Sequence, residues 1–176
     1  MTNYNNDFLL DIMLFCSCIE AFTNNLKKLR AVAMSFYRGI AVLMTIGKKE
    51  RKRNDKKTDS LKEVVMKSIQ FLRSESNGHN WNHQNKLHLL EAGFYSYQKK
   101  KDKANLSYNA AIAMARSSGY IHEQGLACEL AGMHYKKMGE KAIALSSFRQ
   151  AIRCYTEWGS QVRVDMVTRQ MELLEE

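Results

Sequence analysis

The stretch that decides the fold is residues 85–158, NKLHLLEAGFYSYQKKKDKANLSYNAAIAMARSSGYIHEQGLACELAGMHYKKMGEKAIALSSFRQAIRCYTEW. It contains one pattern twice. The recurring positions are Ala92, Tyr95, Ala104, Tyr108, Ala111 and Ile112, which correspond in order to Gly132, Tyr135, Ala144, Phe148, Ala151 and Ile152. Small residues let two helix backbones approach closely, and an aromatic ring fills the space beside them. The pattern is typical of a helical hairpin that stacks on its neighbour.

The composition predicts an all-α protein. The 176 residues include no proline, so long helices joined by tight turns are favoured. Gly47 is predicted to end a helix, Asp59 or Ser60 to cap one, and Gly119 to adopt the left-handed conformation at a helix end. Apolar periodicity predicts eight helices, at 4–22, 26–46, 61–74, 84–98, 102–118, 121–138, 141–158 and 160–174.

These helices predict three segments. Residues 1–47 form an N-terminal helical hairpin, 48–58 a basic linker loop, and 59–176 the helical repeats. The very apolar first helix would need cover on more than one side, which suggests that the chain is a piece of a longer protein. Exposed hairpin edges would also allow dimerisation.

The net charge of +9 raises the question of nucleic acid or anionic membranes as partners. The basic residues are concentrated in 48–57 and 99–103, where they are expected to lie on solvated connections between helices. This distribution favours a solvated loop over a nucleic-acid or nuclear-import patch. The alternative that stays open is a helical-repeat protein that binds nucleic acid or anionic lipid through Lys48–Lys57, with Lys52 and Arg53 as its test positions.

The cysteines and the apolar segments predict a cytoplasmic protein. Cys16 and Cys18 would point to different faces of one helix, and Cys128 and Cys154 occupy apolar positions of repeat helices, so reduced thiols are expected. Residues 8–19 are too short for a membrane span and have no preceding basic residue, unlike a signal peptide.

The sequence offers little chemistry. His79, His83 and His88 have the one metal-like spacing, but the intervening glycine and asparagines indicate a turn, so no metal site is predicted. Cys128 and His134 are six positions apart on one helix and would not share a face. Trp158 is interpreted as a ring that packs the end of one hairpin against the next helix. Neither a cofactor nor a catalytic site is expected.

Two resemblances follow from these residues. Gly132, Tyr135, Gly139, Ala144, Phe148 and Ala151 resemble the tetratricopeptide repeat (TPR), although the period is longer than that of the family and the closing proline is missing. The resemblance implies an α-solenoid of stacked antiparallel hairpins.

A longer series is similar to the helical-repeat region of very large signalling ATPases. The series comprises FYRG at 36–39, HLLEA at 88–92, AMARSSGYIHEQGLA at 113–127, ELA at 129–131 and CYTEWG at 154–159. In that family, kinase-like and STAND-type P-loop ATPase domains commonly precede the repeats, and GAF, histidine-kinase or nucleotide-cyclase domains follow. The resemblance implies a scaffold segment of such a protein, since the sequence contains no G-x-x-x-x-G-K-[ST] phosphate loop.

The function expected from the sequence is a protein–protein interaction module without enzymatic activity. Its partner would be a peptide segment or a neighbouring domain of a larger signalling protein. The concave face of the repeats is the predicted groove. The candidate groove residues are Lys86, Tyr97, Gln124, Glu129, His134 and Lys137.

Overall fold

The computed structural model describes residues 27–48, 56–76 and 83–175, and these form seven helices and no strand. The all-α prediction is confirmed. The helices are α1 (Lys27–Lys48), α2 (Lys56–Ser76), α3 (Gln84–Tyr97), α4 (Lys101–Ser117), α5 (Ile121–Lys137), α6 (Lys141–Trp158) and α7 (Gln161–Glu175).

The predicted helix ends differ from the observed ones mainly in the first third of the chain. The helix predicted at 4–22 lies outside the described residues. Gly47 lies inside α1, which continues to Lys48. Asp59 belongs to the first turn of α2 rather than to its N-cap, because this helix already begins at Lys56. Of the predicted linker loop, residues 49–55 lie outside the described residues, and 56–58 are helical.

Helices α1 and α2 pack against each other and belong to a first compact unit, Met1–His83. Apolar residues spaced three or four apart form one buried face on each helix. These buried residues include Val32, Phe36 and Ile40 on α1 and Val65, Ile69 and Leu72 on α2. The second compact unit is Gln84–Glu176. The sequence grouped the helix at 61–74 with the repeats, and the most extensive contacts of α2 are with α1.

In the second unit each helix packs against the next one along the chain, and α3 also touches α5. The most extensive contact joins α5 and α6. A Cβ atom on Gly132 would lie 2.6 Å from the ring of Phe148, and one on Gly125 would lie 2.9 Å from the ring of Tyr155. The two glycines therefore allow aromatic rings of α6 to lie directly on the backbone of α5.

The residues predicted to pack the repeats lie where the pattern placed them, with a few exceptions. Buried positions are Ala92, Ala104, Tyr108, Ala111, Gly132, Tyr135, Ala144, Phe148 and Ala151. Tyr95 is half-buried, and Gly139 is an exposed turn residue with φ 77°. Trp158 was interpreted from the sequence as a ring that packs the end of one hairpin against the next helix, and the structure differs. Its side chain is 48% exposed, and it lies 5.3 Å from the ring of His122 on α5, within its own hairpin.

One turn geometry recurs at a regular interval in the second unit. Lys99, Gly119, Gly139 and Gly159 all have positive φ, between 62° and 84°. After each of them, the next amide donates to the carbonyl five residues back, as in Lys100 to Tyr95 and Tyr120 to Ala115, both at 2.9 Å. This is the Schellman arrangement, in which a left-handed residue satisfies the last carbonyl groups of a helix. The left-handed conformation predicted at Gly119 is confirmed.

Lys99 is the non-glycine member of this series, and we expect its conformation to lower stability. A Cβ atom in the left-handed region costs about 1–2 kcal/mol. Lys99→Gly should therefore have a free energy of unfolding about 1 kcal/mol higher than Lys99→Ala, since both variants lack the lysine charge. Urea unfolding followed by Trp158 fluorescence in a Trp81→Phe background measures the difference.

Arg153 provides the matched control, because it is exposed and lies inside α6, where the backbone is helical. There the order should reverse, and Arg153→Gly should be less stable than Arg153→Ala by about 0.5–1 kcal/mol. If alanine is more stable than glycine at Lys99 as well as at the control position, the left-handed conformation of Lys99 carries no strain.

Candidate functional site

The six residues predicted to line a groove do not form one surface. Glu129 and His134 are 1% and 2% exposed, and both form hydrogen bonds inside the helix stack, so this part of the prediction is wrong. Lys86 is mostly covered by its ion pair with Glu123. Gln124 and Tyr97 are half-buried, and Lys137 is exposed at the end of α5.

Glu129 belongs to a buried polar triad that joins α5, α6 and α7. Its Oε2 accepts a hydrogen bond from the hydroxyl of Tyr155 at 2.7 Å and lies 2.8 Å from Nη2 of Arg163. The guanidinium group of Arg163, itself 5% exposed, also lies over the ring of Tyr155, at 5.2 Å from its centre. Burial first, and then the nearby Glu129 carboxylate, raise the pKa of Tyr155 well above its ordinary value. The triad therefore holds a neutral tyrosine within an ion pair.

Glu123 forms a second buried cluster, between α3 and α5. Its carboxylate accepts a hydrogen bond from the amide of Asn85 and forms an ion pair with Lys86, with Nζ 2.6 Å from Oε1. Burial raises the pKa of Glu123, but the nearby imidazole of His122, with Nε2 3.6 Å from Oε1, and the charge of Lys86 outweigh it, so the net pKa is lowered. Glu123 also stands in the first turn of α5, where a negative charge suits the helix N-terminus, but its main partners, Asn85 and Lys86, come from α3.

His134 is the centre of a third cluster. Its Nδ1 lies 2.7 Å from Oγ of Ser96 on α3, and its Nε2 lies 3.1 Å from Oδ1 of Asn105 on α4. An amide oxygen can only accept, so Nε2 carries the hydrogen and Nδ1 accepts from the serine hydroxyl. This arrangement suits neutral imidazole. Burial lowers the pKa of His134, and Lys137 and Lys101 act in the same direction against the opposing effect of Glu140.

The described cysteines and histidines have separate partners. Cys128 and Cys154 are buried and free, and burial raises the pKa of the Cys128 thiol to about 12. The Cys128 thiol faces Gln150 at 3.3 Å and not His134. His83 is buried, Nδ1 of His88 lies 3.7 Å from a carboxylate oxygen of Glu91, and His79 lies outside the described residues. Among residues 27–48, 56–76 and 83–175, no three His, Cys, Asp or Glu side chains could share a metal ion.

The first unit presents an open groove of about 590 Å³ between α1 and α2. Its lining includes the exposed Arg38 and Lys67 and the half-buried Val64 and Phe71. Within the described residues, Leu29–Ile46 of α1 is long and apolar enough to cross a membrane. That window is 44% buried in the structure, and core helices of globular proteins pass the same test of length and composition.

Comparison of the chain with protein-family models, curated proteins and solved structures found no match. The assignment of a function therefore rests on the residues and contacts of the chain itself.

Reasoning from the sequence missed all three polar clusters. Asn85, Ser96, Asn105 and Arg163 stand on ordinary helical segments, and their partners lie 29 to 38 positions away. One available signal was that Glu129 stands between Cys128 and Leu130 in a mostly apolar helix. A carboxylate in such a position needs a buried partner, because an isolated buried charge is very unfavourable.

We expect the triad of Glu129, Tyr155 and Arg163 to be strongly coupled in stability. Removing one member of a buried ion pair leaves the other charge uncompensated and costs about 3–5 kcal/mol. Arg163→Met should lower the free energy of unfolding by this amount, and Glu129→Leu/Arg163→Met should recover at least about 2 kcal/mol of the loss. Urea unfolding of wild type, both single variants and the double variant measures the coupling. Additive losses would show that the ion pair contributes nothing specific.

The His134 cluster predicts a loss of stability below about pH 6.5. The pKa of His134 is lowered in the folded protein, so the unfolded chain binds more protons than the folded protein in this range. The free energy of unfolding therefore decreases as the pH is lowered. His134→Gln keeps a neutral donor and acceptor for Ser96 and Asn105, and it should lose less stability than wild type between pH 7.5 and 5.0.

Glu63→Gln is the control, because this exposed carboxylate pairs with Lys67 and titrates in a different range. The hydrogen bond and charge of Lys67 lower the pKa of Glu63, so its contribution is present above about pH 4.5 and is lost only as pH falls below that value. Glu63→Gln should therefore leave the slope between pH 7.5 and 5.0 unchanged. Identical slopes for wild type and His134→Gln would contradict the assignment of this pH effect to His134.

Proposed function

We propose that the chain is a protein–protein interaction module without enzymatic activity, built from stacked TPR-like hairpins. The observation that carries this proposal is the turn that recurs at a regular interval, at Lys99, Gly119, Gly139 and Gly159. Identical turns between helices of nearly constant length generate a repeated hairpin. Such repeats act mainly by presenting an extended surface to other proteins.

The buried polar groups support a structural role for the charged residues of α5. Glu123, Glu129 and His134 each bind side chains of other helices and so fix how the helices stack. Their polar atoms are turned into the helix stack and away from solvent. The surface that is left for a partner consists of exposed side chains such as Leu106, Ile143 and Leu173.

The finer part of the proposal is that the module belongs to a large signalling ATPase, where it would link a nucleotide-binding switch to an output domain. It rests on the sequence resemblance described above. An antibody against residues 84–158 tests it by the size of the native polypeptide. A product several times larger than 20.3 kDa would support the proposal. A product of about 20.3 kDa would instead indicate a separate adaptor protein.

Photo-crosslinking tests the binding role. Benzoylphenylalanine placed singly at Leu106, Ile143 or Leu173 should crosslink to a defined second protein in the native cells from one or two of the positions. The same substitution in an Arg163→Met background should lose the crosslink, since the triad holds α7 on the stack. No crosslinked polypeptide from any of the three positions, or crosslinks only between copies of the chain, would contradict the proposed role.

A further inference from the structure

The turns at Lys99 and Gly139 lie at the same end of the second unit. Helices joined by such short turns alternate in direction, so every second turn meets at one end. Two contacts tie this end together. Lys101, at the start of α4, forms an ion pair with Glu140, at the start of α6, and Nζ of Lys141 lies 3.2 Å from the main-chain oxygen of Glu175 at the end of α7.

This end collects lysines that are separate in the sequence. We call the set the lysine end, and it consists of Lys99, Lys100, Lys101, Lys103, Lys136, Lys137 and Lys141, all of them exposed. The neighbouring acidic residues include Asp102, Glu140, Glu175 and, at the end of α7, Glu172. The Glu140 carboxylate forms an ion pair with Lys101. The Glu175 carboxylate forms one with Arg149, with Nη2 3.2 Å from Oε1. The lysine end therefore presents more lysines than acidic side chains to solvent.

Helix stability explains only part of this cluster. Lysines near the carboxyl ends of α3 and α5, such as Lys136 and Lys137, interact favourably with the negative end of the helix dipole. Lys101, Lys103 and Lys141 stand in the first turns of α4 and α6, where a positive charge is unfavourable. Neither helix has a side-chain cap at that end to offset this effect. These lysines therefore do not serve to stabilise their own helices. Positive charges that lower helix stability are expected where they bind an anionic partner.

We propose that the lysine end docks an acidic, Asp- and Glu-rich segment of a partner protein. This inference rests on the proposed role as a protein-interaction module, and it names the surface and the chemistry of the partner. Lysine ammonium groups are mobile point charges, and several of them suit a flexible run of carboxylates better than one defined group. Opposite charge across such an interface also raises the association rate.

The same lysines fit the other anionic partners less well. Proteins that bind single-stranded nucleic acid add aromatic side chains on which bases stack, whereas Tyr95 here is half-buried beneath Lys103, with Nζ 5.9 Å from the ring centre. Stable membrane binding needs an apolar anchor besides basic residues. Exposed apolar side chains near these lysines are Met138 in the turn, Ile143 in the first turn of α6 and Leu173 in the last turn of α7, so anionic vesicles are tested as a competing partner.

The experiment uses the full chain and a fluorescein-labelled peptide of twelve glutamates as the probe. We expect binding at about 50 mM salt that weakens as salt is raised, because the contacts are exposed and screened. Lys100→Glu/Lys137→Glu should weaken binding at least about tenfold. The control is Arg116→Glu/Arg153→Glu, which makes the same change in net charge at exposed positions outside the lysine end and should change affinity less than about threefold. Circular dichroism should show the same helix content for both variants.

Three outcomes would overturn the proposal. One is an equal loss of affinity in both variants, which would assign the effect to net charge alone. Another is the absence of peptide binding in wild type, and the third is tighter binding to a twelve-residue oligothymidine or to phosphatidylserine vesicles than to the peptide. If crosslinking from Leu106, Ile143 or Leu173 still captures a protein in any of these cases, the interaction role stands and only the lysine end is excluded. Loss of both results would remove the proposed function as well.

Discussion

The close approach of α5 and α6 sets the geometry of the second unit. Phe148 and Tyr155 lie against the backbone of α5 at Gly132 and Gly125, where any side chain would overlap the rings. A helix pair held this closely has little freedom to rotate or slide, because protein interiors are close-packed and respond poorly to added volume. The other helices of the unit are then positioned against a fixed pair, with α4 packed on α5 and α7 packed on α6.

The buried polar clusters fix which residues meet across the helices. Apolar faces alone would permit several registers, since one apolar side chain can replace another at modest cost. An ion pair such as Glu129 with Arg163 is satisfied in one register only. We interpret the clusters as devices of specificity rather than of large net stability, because a buried ion pair gains little over a well-packed apolar pair. They also explain why α5 can contain two carboxylates and a histidine and still lie in the middle of the stack.

Charge is divided between the interior and one end of the unit. The carboxylates of Glu123 and Glu129 form ion pairs with Lys86 and Arg163 inside the stack. Each buried pair is neutral, so the net charge of the second unit is carried by its exposed side chains. Seven of its exposed lysines lie at the end where the turns at Lys99 and Gly139 meet.

The sequence by itself determined the all-helical fold, the position of most turns and the small and aromatic residues that pack the hairpins. These features are local, because the absence of proline, the glycine at a helix end and the helical spacing of apolar residues all act within one or two turns of chain. Tertiary structure decided the rest. It paired α2 with α1, buried Glu129 and His134 where a groove was expected, and left Trp158 half exposed. It also gathered the lysines at one end. These outcomes depend on which residues of different helices come into contact, and the helical period of a single helix carries no information about that.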